Sequence, residues 1–211
     1  MTRRAAVAAA VVLALVVAGE LGRRTLAARA VEAEARRRDE LAAVAQRALQ
    51  QGAPKEALDA LRALEQVDPL RAGLTSSLGR ALVATGAASE ALPVLERALQ
   101  RDGPTPSVLE DQAVALAQLG RHDEARAALE RAVMMDEGRP SALRRLAQAN
   151  LILGEVDRAV ASWEKALQVA PVPERDAIKT EASTLLAAAG YPDAGVREPL
   201  PPSVPGQPKP P

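Results

Sequence analysis

Gly120-Arg121-His122-Asp123-Glu124-Ala125 is one instance of a pattern that the chain repeats at a fixed spacing. Its glycine recurs as Gly52, Gly86 and Gly154, each 34 residues from the next. Five positions after each glycine stands an alanine: Ala57, Ala91, Ala125 and Ala159. Four further on comes a large apolar residue, Leu61, Leu95, Leu129 or Trp163, and three beyond that Leu64, Ala98, Ala132 or Ala166. A strict period of this length marks an array of supersecondary units, each too small to bury its apolar face alone.

The pattern has a physical cause. A glycine ends a helix well because a left-handed C′ residue costs nothing without a Cβ. The alanines leave room for two antiparallel helices to approach, and Leu61, Leu95, Leu129 and Trp163 fill the space between neighbouring hairpins. Trp163 is read as core by its equivalence to the three leucines. Pro54, Pro106, Pro140 and Pro173 stand where helices would begin, where a missing N–H is harmless. Asp68-Pro69 and Ala170-Pro171 stop the helices before them.

These residues resemble the tetratricopeptide repeat family over 136 of 211 residues, 38–173, in units 38–71, 72–105, 106–139 and 140–173. Leu78-Gly79 matches the family's Leu-Gly pair, with Ala45, Ala113 and Ala147 at the glycine's place elsewhere. The family's first-helix aromatics are replaced by Leu41, Leu109, Leu143 and Thr75, and Gly103 and Glu137 replace the closing proline of the inner units. The resemblance implies an all-α fold: a right-handed superhelical array of four helix hairpins. A C-terminal capping helix closes it and an N-terminal hydrophobic helix precedes it.

Composition agrees. The chain is 48% hydrophobic with no Phe, one Tyr and one Trp, so its core is a thin one of Leu, Ala and Val, suited to stacked helix pairs. Period-two alternation is absent after the first twenty residues, which predicts no strands. Residues 1–38 carry eight Arg against three Glu, whereas the rest carries nineteen basic and twenty-four acidic residues. An acidic body argues against nucleic-acid binding by the repeats, while the basic neck is suited to anionic lipid. The absence of cysteine excludes disulfides and thiolate metal sites.

Residues 1–24 are read as a signal-anchor or transmembrane segment built on the uncharged run Ala5 to Gly19. Fifteen residues span about 22 Å as a helix, short of a full crossing, and residues 5–22 come closer. Arg3, Arg4 and the small residues Val16-Val17-Ala18 also fit a cleaved secretory signal, which would give a soluble exported protein. Flanking arginines favour a cytoplasmic repeat domain; the charged start, short apolar run and small-residue end together point to export. Ala6, Ala10, Ala14, Ala18 and Gly22 form a small-residue stripe, and a homo-oligomer through this helix is an alternative.

Residues 25–37 form a charged helical neck running into the first repeat. Pro93 fits its helix if Ser89 is the N-cap, so that the proline falls in the first turn and the helix starts late or bends. Residues 174–190 read as a capping helix with Ala177, Ile178, Leu185 and Leu186 as its apolar set. The Pro-rich stretch 191–211 reads as a disordered tail.

No catalytic or cofactor motif is present in the sequence, and His122 alone, in a turn after Gly120, cannot build an ordinary zinc site. The reading is of a non-enzymatic protein with no cofactor and no metal. Its resemblance implies a groove lined by first helices that binds a protein or peptide segment. Carried over, the groove residues are Gln46, Gln50, Ser76, Arg80, Val83, Glu110, Val114, Gln118, Arg144, Gln148 and Leu151. The family's carboxylate clamp is missing, since Ala42, Gln46, Ser77, Ser107 and Asp111 occupy its places. Arg80 and Arg144 suggest a partner segment bearing a carboxylate. The function expected is a membrane-tethered scaffold in a cell-envelope assembly.

Overall fold

The computed structural model describes the backbone of residues 3–196 and the side chains of Glu20 and of residues 23–196. Among them there are nine α-helices and no strand. The chain divides into two compact units, Met1–Leu70 and Arg71–Pro211.

The first unit holds α1, Arg3–Gln50, and α2, Pro54–Val67. Helix α1 is continuous over 48 residues, so the neck runs without a break into the first repeat, as its Ala-rich, Pro-free sequence predicts. Helix α2 turns back against α1. Ala45, Ala48, Ala57, Leu61 and Leu64 are buried. The apolar run 5–19, with the anchor, signal and oligomer readings drawn from it, lies outside the described side chains. Among the described residues no helix is long and apolar enough to cross a membrane.

The second unit holds three hairpins: α3 with α4 (Leu74–Ala84, Ala88–Asp102), α5 with α6 (Pro106–Gln118, His122–Met135), and α7 with α8 (Pro140–Ile152, Val156–Val169). Helix α9, Val172–Ala188, follows. Each hairpin packs on the next, and α3, α5, α7 and α9 also touch in succession, forming one layer.

The glycines behave as their spacing predicts. Gly120 has φ 75°. Its N–H bonds Ala117 O at 3.0 Å, and the N–H of Arg121 reaches back to Leu116 O at 2.9 Å. This pair of bonds is the left-handed closure that satisfies the last carbonyls of a helix. Gly86 and Gly154 close α3 and α7 in the same way, and Gly190 closes α9. Ala91, Leu95, Ala98, Ala125, Leu129, Ala132, Ala159, Trp163 and Ala166 are buried along the second helices.

Two expectations need correction. Helix α4 starts at Ala88 with Ala87 as N-cap, and Pro93 lies inside the helix rather than in its first turn. Closure of the preceding turn, with Ala87 N–H bonded to Leu82 O at 2.9 Å, fixes the start before the proline can delay it. In α9 the buried residues are Ile178, Ala182 and Leu186, whereas Ala177 is exposed. Residues 191–196 are not helical, and Ala194 and Val196 pack against the core around Trp163. The Pro-rich stretch from 197 onward lies outside the described residues.

Candidate functional site

Of the sequence-derived groove residues, Gln46 and Gln50 belong to the first unit, where both are exposed on α1. The others belong to the second unit. There the α3–α5–α7 layer forms an open groove of about 530 Å³, lined in part by Arg80, Val83, Asp111, Val114, Gln118 and Arg139. A second cavity of about 320 Å³ adjoins it. Val114, Gln118 and Arg145 line both. The second is walled mainly by apolar residues, among them Ala113, Ala117, Ala149 and Ile152.

The polar groups of the first cavity are tied across helices. Arg80 on α3 donates through Nε to Asp111 Oδ2 on α5 at 3.0 Å, and its Nη2 donates to Ser107 Oγ. Glu110, one residue before Asp111, is only 5% exposed. Buried carboxylates must be matched by donors. Here Arg139 donates to Oε1, Ser141 Oγ donates to the same oxygen at 3.2 Å, and Arg145 Nε lies 3.5 Å from Oε2. Gln118 Nε2 donates to the Val83 carbonyl at 3.3 Å.

Burial holds the Asp111 carboxyl above the usual carboxylate range, and neighbouring Glu110 adds to the shift, while Arg80 and Arg145 oppose it. Desolvation thus outweighs an ion pair of good geometry. The side chain of Asp111 is 16% exposed and that of Arg80 is 49% exposed, so the acid bears the desolvation and the base stays half in water.

A second constellation joins α7 to α9. Arg144 donates to Glu181 through Nε at 2.8 Å and through Nη2, and Gln148 Nε2 donates to the other oxygen of Glu181 at 2.8 Å. Arg80 and Arg144 therefore each hold a carboxylate of their own chain in this structure. Consecutive first helices pack closely enough for charges one repeat apart to meet. Ser76 Oγ donates to Gly73 O at 2.9 Å, within the first turn of α3. Leu151 packs toward the core around Trp163, and its neighbour Ile152 lines the cavity instead.

Sequence reasoning missed Arg139 and Arg145 as lining residues and Glu181 as the partner of Arg144 and Gln148. The signal was present, since the partners stand 29 residues apart for Arg139 with Glu110 and 37 apart for Arg144 with Glu181. Opposite charges near one period apart on first helices are candidates for such ties. His122 is the first residue of α6, half-buried, and lines the smaller cavity with Arg145. Among the described residues no group of three or more acidic or histidine side chains could hold a metal ion.

Two family profiles described as tetratricopeptide repeat match residues 48–110 and 110–175. A comparison with curated proteins gives no match. Among solved structures, MamA from Desulfovibrio magneticus is 18% identical, with a TM-score of 0.59 over 74% of this chain and 88% of that one. Another MamA crystal structure, also 18% identical, gives 0.57 over 72% and 87%. A tetratricopeptide repeat protein from Parabacteroides merdae, 18% identical, gives 0.54 over 73% and 66%. At such identities the likeness is one of fold.

Proposed function

We propose, for a chain that belongs to the tetratricopeptide repeat family, that it is a membrane-tethered scaffold that captures a partner protein segment in the α3–α5–α7 groove. The observation that carries the binding half is the pair of adjoining cavities. An apolar pocket sits beside a polar wall whose donors and acceptors are held in place by inter-helix bonds. Such a combination gives a bound segment an anchor and a register. The segment is extended or helical, and its apolar side chain enters between Ala117 and Ile152 while Gln118 and Gln148 meet its backbone. Scaffolding requires no catalytic group.

The test uses full-length, detergent-solubilised protein as bait. Val114→Glu puts a charge where both cavities meet, whereas Arg131→Glu alters an exposed residue of α6. The groove variant is expected to lose the partner that the wild type captures, and the α6 variant to keep it. Equal loss from both, or loss from the α6 variant alone, removes the groove from the proposal.

The tether is read from residues 5–22, with the repeats on the exported side of the membrane and a role in a cell-envelope assembly. What supports it is the uncharged run from Ala5 to Gly19 followed by the arginine-rich neck. Intact-mass measurement of the mature protein decides this half. Retention of residues 5–22 in a membrane fraction sustains the tether, and a chain starting at Gly19 ends it.

A further inference from the structure

We propose that Asp111 gates Arg80: when the carboxylate is neutralised, the Arg80 guanidinium leaves α5 for the groove, and the groove then holds anions more tightly. The inference rests on the groove reading above and adds its regulation. Arg80 is held on the cavity wall by two acceptors, Asp111 and Ser107, of which only Asp111 is charged. Protonating Asp111 removes the charge–charge attraction of the pair and leaves Arg80 with neutral acceptors only. The Arg80 side chain is already half in water.

The charged groups facing Asp111 are Arg80 from α3, Glu110 beside it on α5, and Arg145 from α7. Helices α4 and α6 also pack against α5, and among the described residues neither brings a charged group against this carboxylate. His122 on α6 lies in the adjoining cavity with Arg145 and is the other titratable group to be separated. The cavity wall carries Arg80, Arg139 and Arg145 against Glu110 and Asp111. Neutralising Asp111 therefore raises its balance by one positive charge and frees the guanidinium to use it. Because burial dominates the Asp111 shift, neutralisation sets in above the ordinary carboxylate range as pH falls.

The experiment follows the Arg80 Nε–H signal by NMR in the full-length protein against pH, with sulfate as a probe whose charge is constant over the window. In the wild type the Arg80 signal is expected to move as pH falls, and sulfate to bind about three- to tenfold more tightly. Asp111→Asn is expected to show the tighter binding at every pH and no remaining dependence. Arg80→Gln is expected to lose the gain, and His122→Gln to keep it. Wild-type pH dependence surviving in Asp111→Asn, or vanishing in His122→Gln, overturns the gate. A static Arg80 signal with sulfate still bound removes the gate and leaves the groove. No sulfate binding at any pH, with the Arg80 signal still following Asp111, removes the anion site and leaves the switch.

Discussion

Gly79 on α3 faces Leu95 on α4 so closely that a Cβ built on the glycine would lie 2.5 Å from Leu95 Cδ2 and 2.7 Å from Cγ. Both target atoms belong to a side chain that is itself 0% exposed and has little room to yield. Gly79→Ala is expected to destabilise the second unit by about 1–3 kcal/mol through overpacking. Gly86→Ala meets no atom within 4 Å, yet its φ of 78° also penalises a side chain, by about 1 kcal/mol. Urea unfolding followed by the fluorescence of Trp163, the only tryptophan, measures both. Rescue of Gly79→Ala by Leu95→Val, with no rescue of Gly86→Ala, distinguishes the steric cause from the backbone one.

Asn150 occupies the place held by Leu82 and Leu116 in the preceding repeats, and is as buried as they are, at 3% exposure. Its Oδ1 has no hydrogen-bond partner. A buried acceptor left unpaired costs about 1–3 kcal/mol, so Asn150→Leu is expected to raise stability by about 1–2 kcal/mol. A drop in the urea midpoint would show that the amide is satisfied after all.

Glu110 stands between two arginines and a serine while itself buried. Glu110→Ala leaves Arg139 and Arg145 without their shared carboxylate, but both bases keep access to water, which limits the penalty. The expected loss is about 1–2 kcal/mol, with helicity by circular dichroism unchanged. Glu110→Gln keeps the hydrogen-bonding shape without the charge and should fall between wild type and Glu110→Ala. Equal stability of all three would make the Arg139–Glu110 tie a surface contact of no consequence.

Asp111 gives the molecule a predictable pH dependence. Its carboxyl binds a proton more tightly in the folded protein than the reference value of 3.8, so the folded state takes up protons that the unfolded state has already released. The resulting stabilisation is fully present below that reference and is lost as pH rises through the raised folded-state value. Asp111→Asn should flatten this part of the stability curve in the window just above pH 3.8. Unfolding free energies at several pH values, wild type against variant, check it. A slope of opposite sign would mean that the Arg80 contact, not burial, dominates the carboxylate.

The repeat and its hairpins were legible in the sequence because they depend on local rules. A glycine that must adopt φ near 75°, a proline at a first helical position and alanines at helix crossings each act within a few residues. Repeating them every 34 positions fixes where helices end and which faces they bury. Trp163 as core followed from its equivalence to Leu95 and Leu129, and it is fully buried. The start of α4 was misread because the Gly86 turn overrides the local signal of Ser89 and Pro93.

What only the tertiary structure decided is the pairing of charges on the first-helix layer. Whether Arg80 meets Asp111 or stands open depends on how far one helix is rotated and shifted against the next, a quantity no single repeat encodes. The same geometry buries Glu110 beneath Arg139 and Arg145, strands the Asn150 side chain, and turns Leu151 inward while Ile152 faces the cavity. Local propensity sets each helix, but side chains 29 to 37 residues apart find one another only once neighbouring helices have packed.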